Sequence, residues 1–338
     1  MAPSLINHRA VLRPTIVARL LALVAGLLIA QLVLAPVGAG QQPRTSRSDA
    51  HSKSRESFTP ADRRLVESAI GATCTERIRD PYGSMPIDEM QARPSLPVND
   101  EAAVTGARRA ERLLPVTRKL VADAIIQLAK DYDQYGSSTA QSRVTSGIKR
   151  VQAVRRVKPD VDARDNASVI LREPRTIEFG TIFLAGLRSD EAMISVLAHE
   201  LTHIASGPPD SLRPLFRAIG HRAAARTGLQ IQGQRAEELA CDLVGVIATR
   251  RFIAENPAWD PLPRRLARAF EHNCVDDDES DEDHLSPRNT IRALFALDLD
   301  LAKEMVNEIN NREKASLLRW WLTVTAGVRV PTSVGQFC

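Results

Sequence analysis

The chain has 338 residues, of which 43% are hydrophobic and 25% charged, and a net charge of +4. That apolar content can build a core and the net charge is small for the length, which excludes disorder throughout and suits one large or two ordinary domains. Four cysteines without a CxxC pair exclude a disulfide scaffold, a zinc ribbon and a thioredoxin-type redox site, and a single long apolar run excludes a polytopic membrane protein.

Residues 1–39 carry Arg9, Arg13 and Arg19 and no acid, then an apolar stretch from Leu20 to Ala35 broken only by Gln31, then Val37-Gly38-Ala39. Basic, apolar and small residues in that order are the layout of a secretory signal peptide, with cleavage expected after Ala39. The run is 16 residues long, short of the roughly 20 that a spanning helix needs, so retention as a membrane anchor is the lesser reading. Removing the leader takes the net charge from +4 to +1. The pI near 9.0 then no longer argues for a nucleic-acid partner, and none is expected. Arg108, Arg109, Arg112, Lys149, Arg150, Arg155 and Arg156 read as solvated helix faces. The expected location is the periplasm or the exterior, with the inner membrane touched only through an uncleaved leader. An oxidising compartment permits one or two disulfides among Cys74, Cys241, Cys274 and Cys338, whose pairing stays open.

Residues 40–57 are polar and read as a disordered linker. A helical N-terminal region follows over 58–141: a Pro-led helix from Thr59 to Glu76, a turn-rich stretch from Asp80 to Val98, and a helix capped by Asn99 or Asp100 and running to Tyr132, which Pro115 should kink or divide. Another helix is expected from Val144 to Val157, ending at Pro159. Between Asn166 and Leu187, β-branched and aromatic residues in short bursts predict two or three short strands. A helix capped by Ser189 or Asp190 ends at Gly207-Pro208-Pro209, and helical sequence resumes at about 210–227, 234–254 and 287–327. The fold class is mainly α, of the α+β kind, with a small sheet.

The helix beginning at Ser189 contains His199-Glu200-Leu201-Thr202-His203, an HExxH motif. Residues four apart are neighbours on one helix face, so both imidazoles can reach one metal ion, with Glu200 beside them able to hold a metal-bound water. A catalytic zinc takes three protein ligands. The pattern HExxHxxGxxH would require glycine at 206 and histidine at 209, where this chain has Ser206 and Pro209. The other common third ligand is a glutamate from a later helix, and 35 residues after His203 lies Glu238, with Asp242 one turn further to fix a histidine ring. Glu237 and Cys241 compete for the third position.

These residues resemble the zinc metallopeptidases that include the CAAX prenyl endopeptidases, the HtpX heat-shock proteases and the periplasmic BepA-type proteases. The resemblance spans about 142–297 and rests on Asn166-Ala167, the strand region Ile177 to Leu187, Asp190-Glu191, VLAHELTH at 196–203 and ExxxD from Glu238 to Asp242. It implies a zincin-like metallopeptidase domain over 142–327, a C-terminal tail over 328–338, and one zinc per chain on His199, His203 and Glu238. It also implies Glu200 as base, Asp242 behind a ligand, and an exposed edge strand at about Thr176 to Leu184 for an extended polypeptide substrate. The family's late His-Pro segment and arginine have a partial echo in His284 and Arg292, the expected oxyanion stabilisers. Asn166 takes a structural role in this reading.

The expected function is an exported zinc endopeptidase acting on extended or unfolded polypeptides, in the manner of envelope quality control. The alternative is a zinc-stabilised, non-catalytic binding or assembly factor for envelope proteins. The acidic run Asp276 to Asp283 reads as a solvated loop without EF-hand spacing, and Trp320-Trp321 read as packing residues.

Overall fold

The computed structural model describes residues 58–164, 166–169, 175–208, 211–260, 262–275, 280–307 and 311. The leader, the linker, Trp320-Trp321, the C-terminal tail, Cys338 and the first half of the acidic run, 276–279, lie outside them.

Helix α1 (Pro60–Arg79) starts at a capping box: the Asp62 backbone N–H donates to Thr59 Oγ1 at 3.2 Å and the Thr59 N–H to Asp62 Oδ2 at 2.8 Å. A short α2 (Ile87–Ala92) interrupts the turn-rich stretch. Asp100 caps α3 (Glu101–Asp131), accepting from the Ala102 and Ala103 N–H groups. Pro115 does not divide this helix. Leu113, Leu114, Thr117 and Leu120 are buried on both sides of it, and their packing outweighs the one backbone bond that proline removes.

Helix α4 (Ser138–Ala153) begins at the Ser137 cap and stops before Val154, so the expected extension to Val157 is corrected. Arg156–Asp160 instead form strand β1. With β2 (Ala167–Val169) and β3 (Thr176–Gly180) it makes a sheet of order β1-β3-β2, in which β1 runs parallel and β2 antiparallel to β3. Pro159 is tolerated because β1 lies at the end of this order.

The same order corrects the expected edge strand. Thr176–Gly180 is the central strand, with Ile177 and Phe179 fully buried, and residues 181–186 are the helix α5 (Thr181–Gly186). The strand that reaches the cleft described below is β2.

Helix α6 (Asp190–Ser206) carries the HExxH motif. Ser189 Oγ accepts from the Ala192 N–H at 3.1 Å, and Asp190 and Glu191 sit in the first turn, where carboxylates suit the helix dipole. Ala192, Met193, Ile194, Leu197, Leu201 and Ile204 are buried around its whole circumference, as befits a helix walled by α3, α4 and α8. Helices α7 (Arg213–Thr227) and α8 (Gln234–Glu255) follow, with Gly228 at φ 81° in the left-handed position that ends α7. Then come α9 (Leu262–Ala267), a 3₁₀ turn (Glu271–Asn273), α10 (Pro287–Leu297) and a helical stretch at 299–307.

Three of the arginines read as solvated instead hold α6 at its ends. Arg112 pairs with Asp190 at 2.8 Å and Arg109 donates to the Leu187 carbonyl at 2.6 Å; at the other end Arg150 donates to the carbonyls of Ile204 and Ala205 at 3.1 and 2.6 Å. The N-terminal region and the segment after α8 are joined by the Cys74–Cys274 disulfide and by buried ion pairs. Arg268 meets Asp80 at 2.5 Å and Arg264 meets Glu76 at 3.4 Å, while Arg268 also meets Asp260 of its own segment at 2.8 Å and Arg265 ties that segment to Glu191 of α6 at 2.5 Å.

Candidate metal centre

Two helices build the site, and a missing side chain lets them meet. A Cβ on Gly245 of α8 would lie 2.8 Å from the Ser195 carbonyl oxygen of α6, too close for any side chain. Ser195 is one turn before His199 and Gly245 is just under one turn after Asp242. Close approach there brings the ExxxD carboxylates against the HExxH imidazoles.

The contacts converge on one point. His199 Nε2 lies 3.1 Å from Glu238 Oε2, His203 Nε2 lies 3.3 Å from the same oxygen, and the two Nε2 atoms are 3.1 Å apart. A tetrahedral ion with bonds of about 2.0–2.1 Å sets its ligand atoms about 3.3 Å apart, so this triangle has the dimensions of one face of such a centre. Behind the imidazoles, Asp242 Oδ1 holds His199 Nδ1 at 2.7 Å and Glu237 Oε1 holds His203 Nδ1 at 3.3 Å. Each ring thus has its far nitrogen on a carboxylate and its Nε2 toward Glu238, the arrangement that fixes the tautomer of a ligating histidine. Gln234 Nε2 donates to the other oxygen of Glu238 at 2.7 Å and fixes that carboxylate in turn.

Placement separates the three candidates for the third position. Glu237 faces the rear nitrogen of His203, so it orients a ring, a role that sequence spacing did not assign to it. Cys241 is fully buried, and its Sγ groups with His199 and His203 ligand atoms within 4.8 Å. His199, His203 and Cys241 could therefore hold a metal ion. The 3.1 and 3.3 Å contacts of Glu238 Oε2 are the ones that match tetrahedral edges.

The electrostatics favour a cation at this point. Burial penalises charge on all the groups, yet Glu238 is held well below the usual carboxylate range by the His199 and His203 hydrogen bonds. Burial works against a charged His199, but Asp242 and Glu238 outweigh it and raise its pKa well above 6.5. Glu200 is 5% exposed, and burial pushes its carboxyl up to about 7 against the pull of His199 and His203.

The site opens into a cleft of about 1510 Å³. Its walls include Asn166 and β2, Ser195 and Val196 of α6, His199, His203 and Glu238, and the segments around His272 and His284. This exceeds the usual 300–1,000 Å³ of a drug-sized pocket and has room for several residues of polypeptide. His284 Nε2 stands 3.8 Å from Glu238 Oε2, its side chain 60% exposed at the rim. Arg292 is placed elsewhere: it donates to Glu67 of α1 at 2.7 Å and to Asn289, and is not among the described residues that line the cleft. Asn166 accepts from the Ala167 N–H at 2.8 Å, and its carbonyl accepts from the Gly180 N–H at 2.7 Å, tying β2 to the end of β3.

His272 is a cleft residue that sequence reasoning missed. It lies in the 3₁₀ turn, edge-on to Phe183 at 6.4 Å between ring centroids, with burial pushing its pKa down to about 4. A neutral imidazole thus faces the cleft, and its Nδ1 is buried without a hydrogen-bond partner among the described residues. No motif surrounds it, and the sequence offers no signal that singles it out. Comparisons with protein-family models, with curated proteins and with solved structures return no match for this chain.

Proposed function

We propose that this chain is a zinc-dependent endopeptidase, with His199, His203 and Glu238 as metal ligands. The observation that carries the reading is the convergence of both Nε2 atoms on Glu238 Oε2, with Glu200 buried alongside in a polypeptide-sized cleft. Two imidazoles and a carboxylate suit zinc, and three protein ligands leave a position open, as catalytic sites require. When bound, zinc polarises a peptide carbonyl and makes water a better nucleophile near neutral pH.

The chain's own residues supply the rest. Glu200 accepts a proton from the attacking water on its carboxylate and returns it to the leaving amide nitrogen. Asp242 and Glu237 keep the imidazoles from rotating. His284, on the rim beside Glu238, would meet charge developing on the carbonyl oxygen, whereas Arg292 pairs with Glu67. Strand β2 lines the cleft and offers backbone groups to an extended substrate, which favours unfolded over compact polypeptides. The leader-like residues 1–39 support an exported protein, periplasmic or secreted.

The test is hydrolysis of an unfolded model protein by the purified chain, abolished by chelator and by Glu200→Gln. Activity that persists in Glu200→Gln removes the assigned mechanism. One observation favours a second reading, a zinc-stabilised binding factor without catalysis. Cys241 beside the same imidazoles would, with Glu238, make four protein ligands and a closed centre. In that case biological function survives Glu200→Gln and is lost in His199→Ala.

A further inference from the structure

We infer a peripheral membrane-docking patch, remote in sequence from the HExxH motif and independent of the proposed activity. Five large hydrophobic side chains among the described residues are exposed, and three of them, Ile78, Tyr82 and Trp259, lie on the two segments that one arginine joins. Tyr82 (60% exposed) has its ring 5.7 Å from the Arg268 guanidinium. Arg268 also binds Asp80, two residues after Ile78 (80% exposed), and Asp260, next to Trp259, which is 104% exposed. Pro81, Pro257 and Ala258 are exposed between them.

Folding leaves these side chains in water although each would gain on the order of 1.5–3 kcal/mol from burial, so a partner surface is the economical reason for placing them together. Their chemistry selects the partner. Tryptophan and tyrosine carry an apolar body and a polar tip, which suits the headgroup boundary of a bilayer. Arg77 and Arg79 border the patch, and long cationic side chains reach headgroup phosphates while their stems stay against apolar surface. Asp80 is turned inward onto Arg268 and the part-exposed Asp260 pairs with the same guanidinium, so the outer face offers Arg77, Arg79 and aromatic rings to an anionic lipid surface. Arg268 also fixes the two segments to each other, so the patch is preformed.

Quenching of tryptophan fluorescence by brominated phospholipid reads this contact directly. The full chain and its Trp259→Phe variant are mixed with vesicles containing about one third phosphatidylglycerol. Trp259 is fully exposed, so its replacement spares the fold, and the difference between the two chains reports position 259 whatever the leader does. We expect strong quenching that is largely lost in Trp259→Phe, and at least several-fold weaker quenching in phosphatidylcholine vesicles or in Arg77→Gln/Arg79→Gln. Equal quenching in the chain and its Trp259→Phe variant, or none in either, overturns the proposal, and the latter result would reassign the patch to a protein partner.

Discussion

Replacing Arg268 by methionine keeps the stem and removes the charge that three carboxylates share. Its side chain is 5% exposed and that of Asp80 0%, and the two make contacts of 2.5 and 3.0 Å between Nε, the second guanidinium nitrogen and the Asp80 oxygens. Glu191 keeps Arg265 at 2.5 Å and Asp260 is 37% exposed, so the loss falls mainly on Asp80. What remains for Asp80 among its described contacts is the Tyr82 backbone N–H at 2.9 Å, one neutral donor for a buried carboxylate. Breaking a buried pair in this way costs about 3–5 kcal/mol, chiefly as uncompensated charge. With a urea dependence of about 1–3 kcal/mol per M, the unfolding midpoint should fall by about 1 M or more. Asp80→Asn in the same chain should restore more than half of the loss, because the coupling, and not the arginine itself, carries the energy. A loss below about 1 kcal/mol, or strict additivity of the two substitutions, would refute the claim that this pair joins the N-terminal region to the segment after α8.

Gly245→Ala places a Cβ 2.8 Å from the Ser195 carbonyl oxygen and forces α8 away from α6. It should cost about 1–3 kcal/mol and weaken zinc binding by calorimetry together, whereas unchanged zinc affinity would dismiss the packing argument. Burial raises the Glu271 carboxyl to about 7, so between the ordinary 4.5 and 7 the folded chain holds a proton that the unfolded chain has lost. Stability should therefore fall as pH rises through that window, by about 3 kcal/mol, and Glu271→Gln should flatten this part of the profile in urea unfolding. Reducing the Cys74–Cys274 bond, which spans 200 residues, should destabilise by about 2–5 kcal/mol, and unfolding curves that coincide with and without reductant would count against that bond.

The helices that carry the site were legible because their ends are written in capping chemistry and their faces in helical spacing. Ser189 and Gly207 bound α6 where the sequence places them, and α8 starts at Gln234. Strand β1 was not legible: of Arg156-Val157-Lys158-Pro159-Asp160 only Val157 is buried, so an edge strand of charged residues leaves no alternating apolar signal. The central place of β3 depends on pairing with strands before it, which no local pattern states. In the site, the spacings of HExxH and ExxxD brought together His199, His203, Glu238 and Asp242. The role of Glu237 was hidden because neighbouring helix positions differ by about 100° in direction, and only the crossing of α6 and α8 decides which ring each reaches. Arg292 failed to join the cleft because Glu67 of a distant helix holds it. The disulfide depends on two positions 200 residues apart, beyond any local rule.

Zinc content measured on the purified chain, beside His199→Ala, Glu238→Ala and Cys241→Ser, tests the metal centre most directly. One zinc per chain is expected, lost in His199→Ala and Glu238→Ala and retained in Cys241→Ser. Zinc absent from the unaltered chain, or retained in Glu238→Ala and lost in Cys241→Ser, would contradict it.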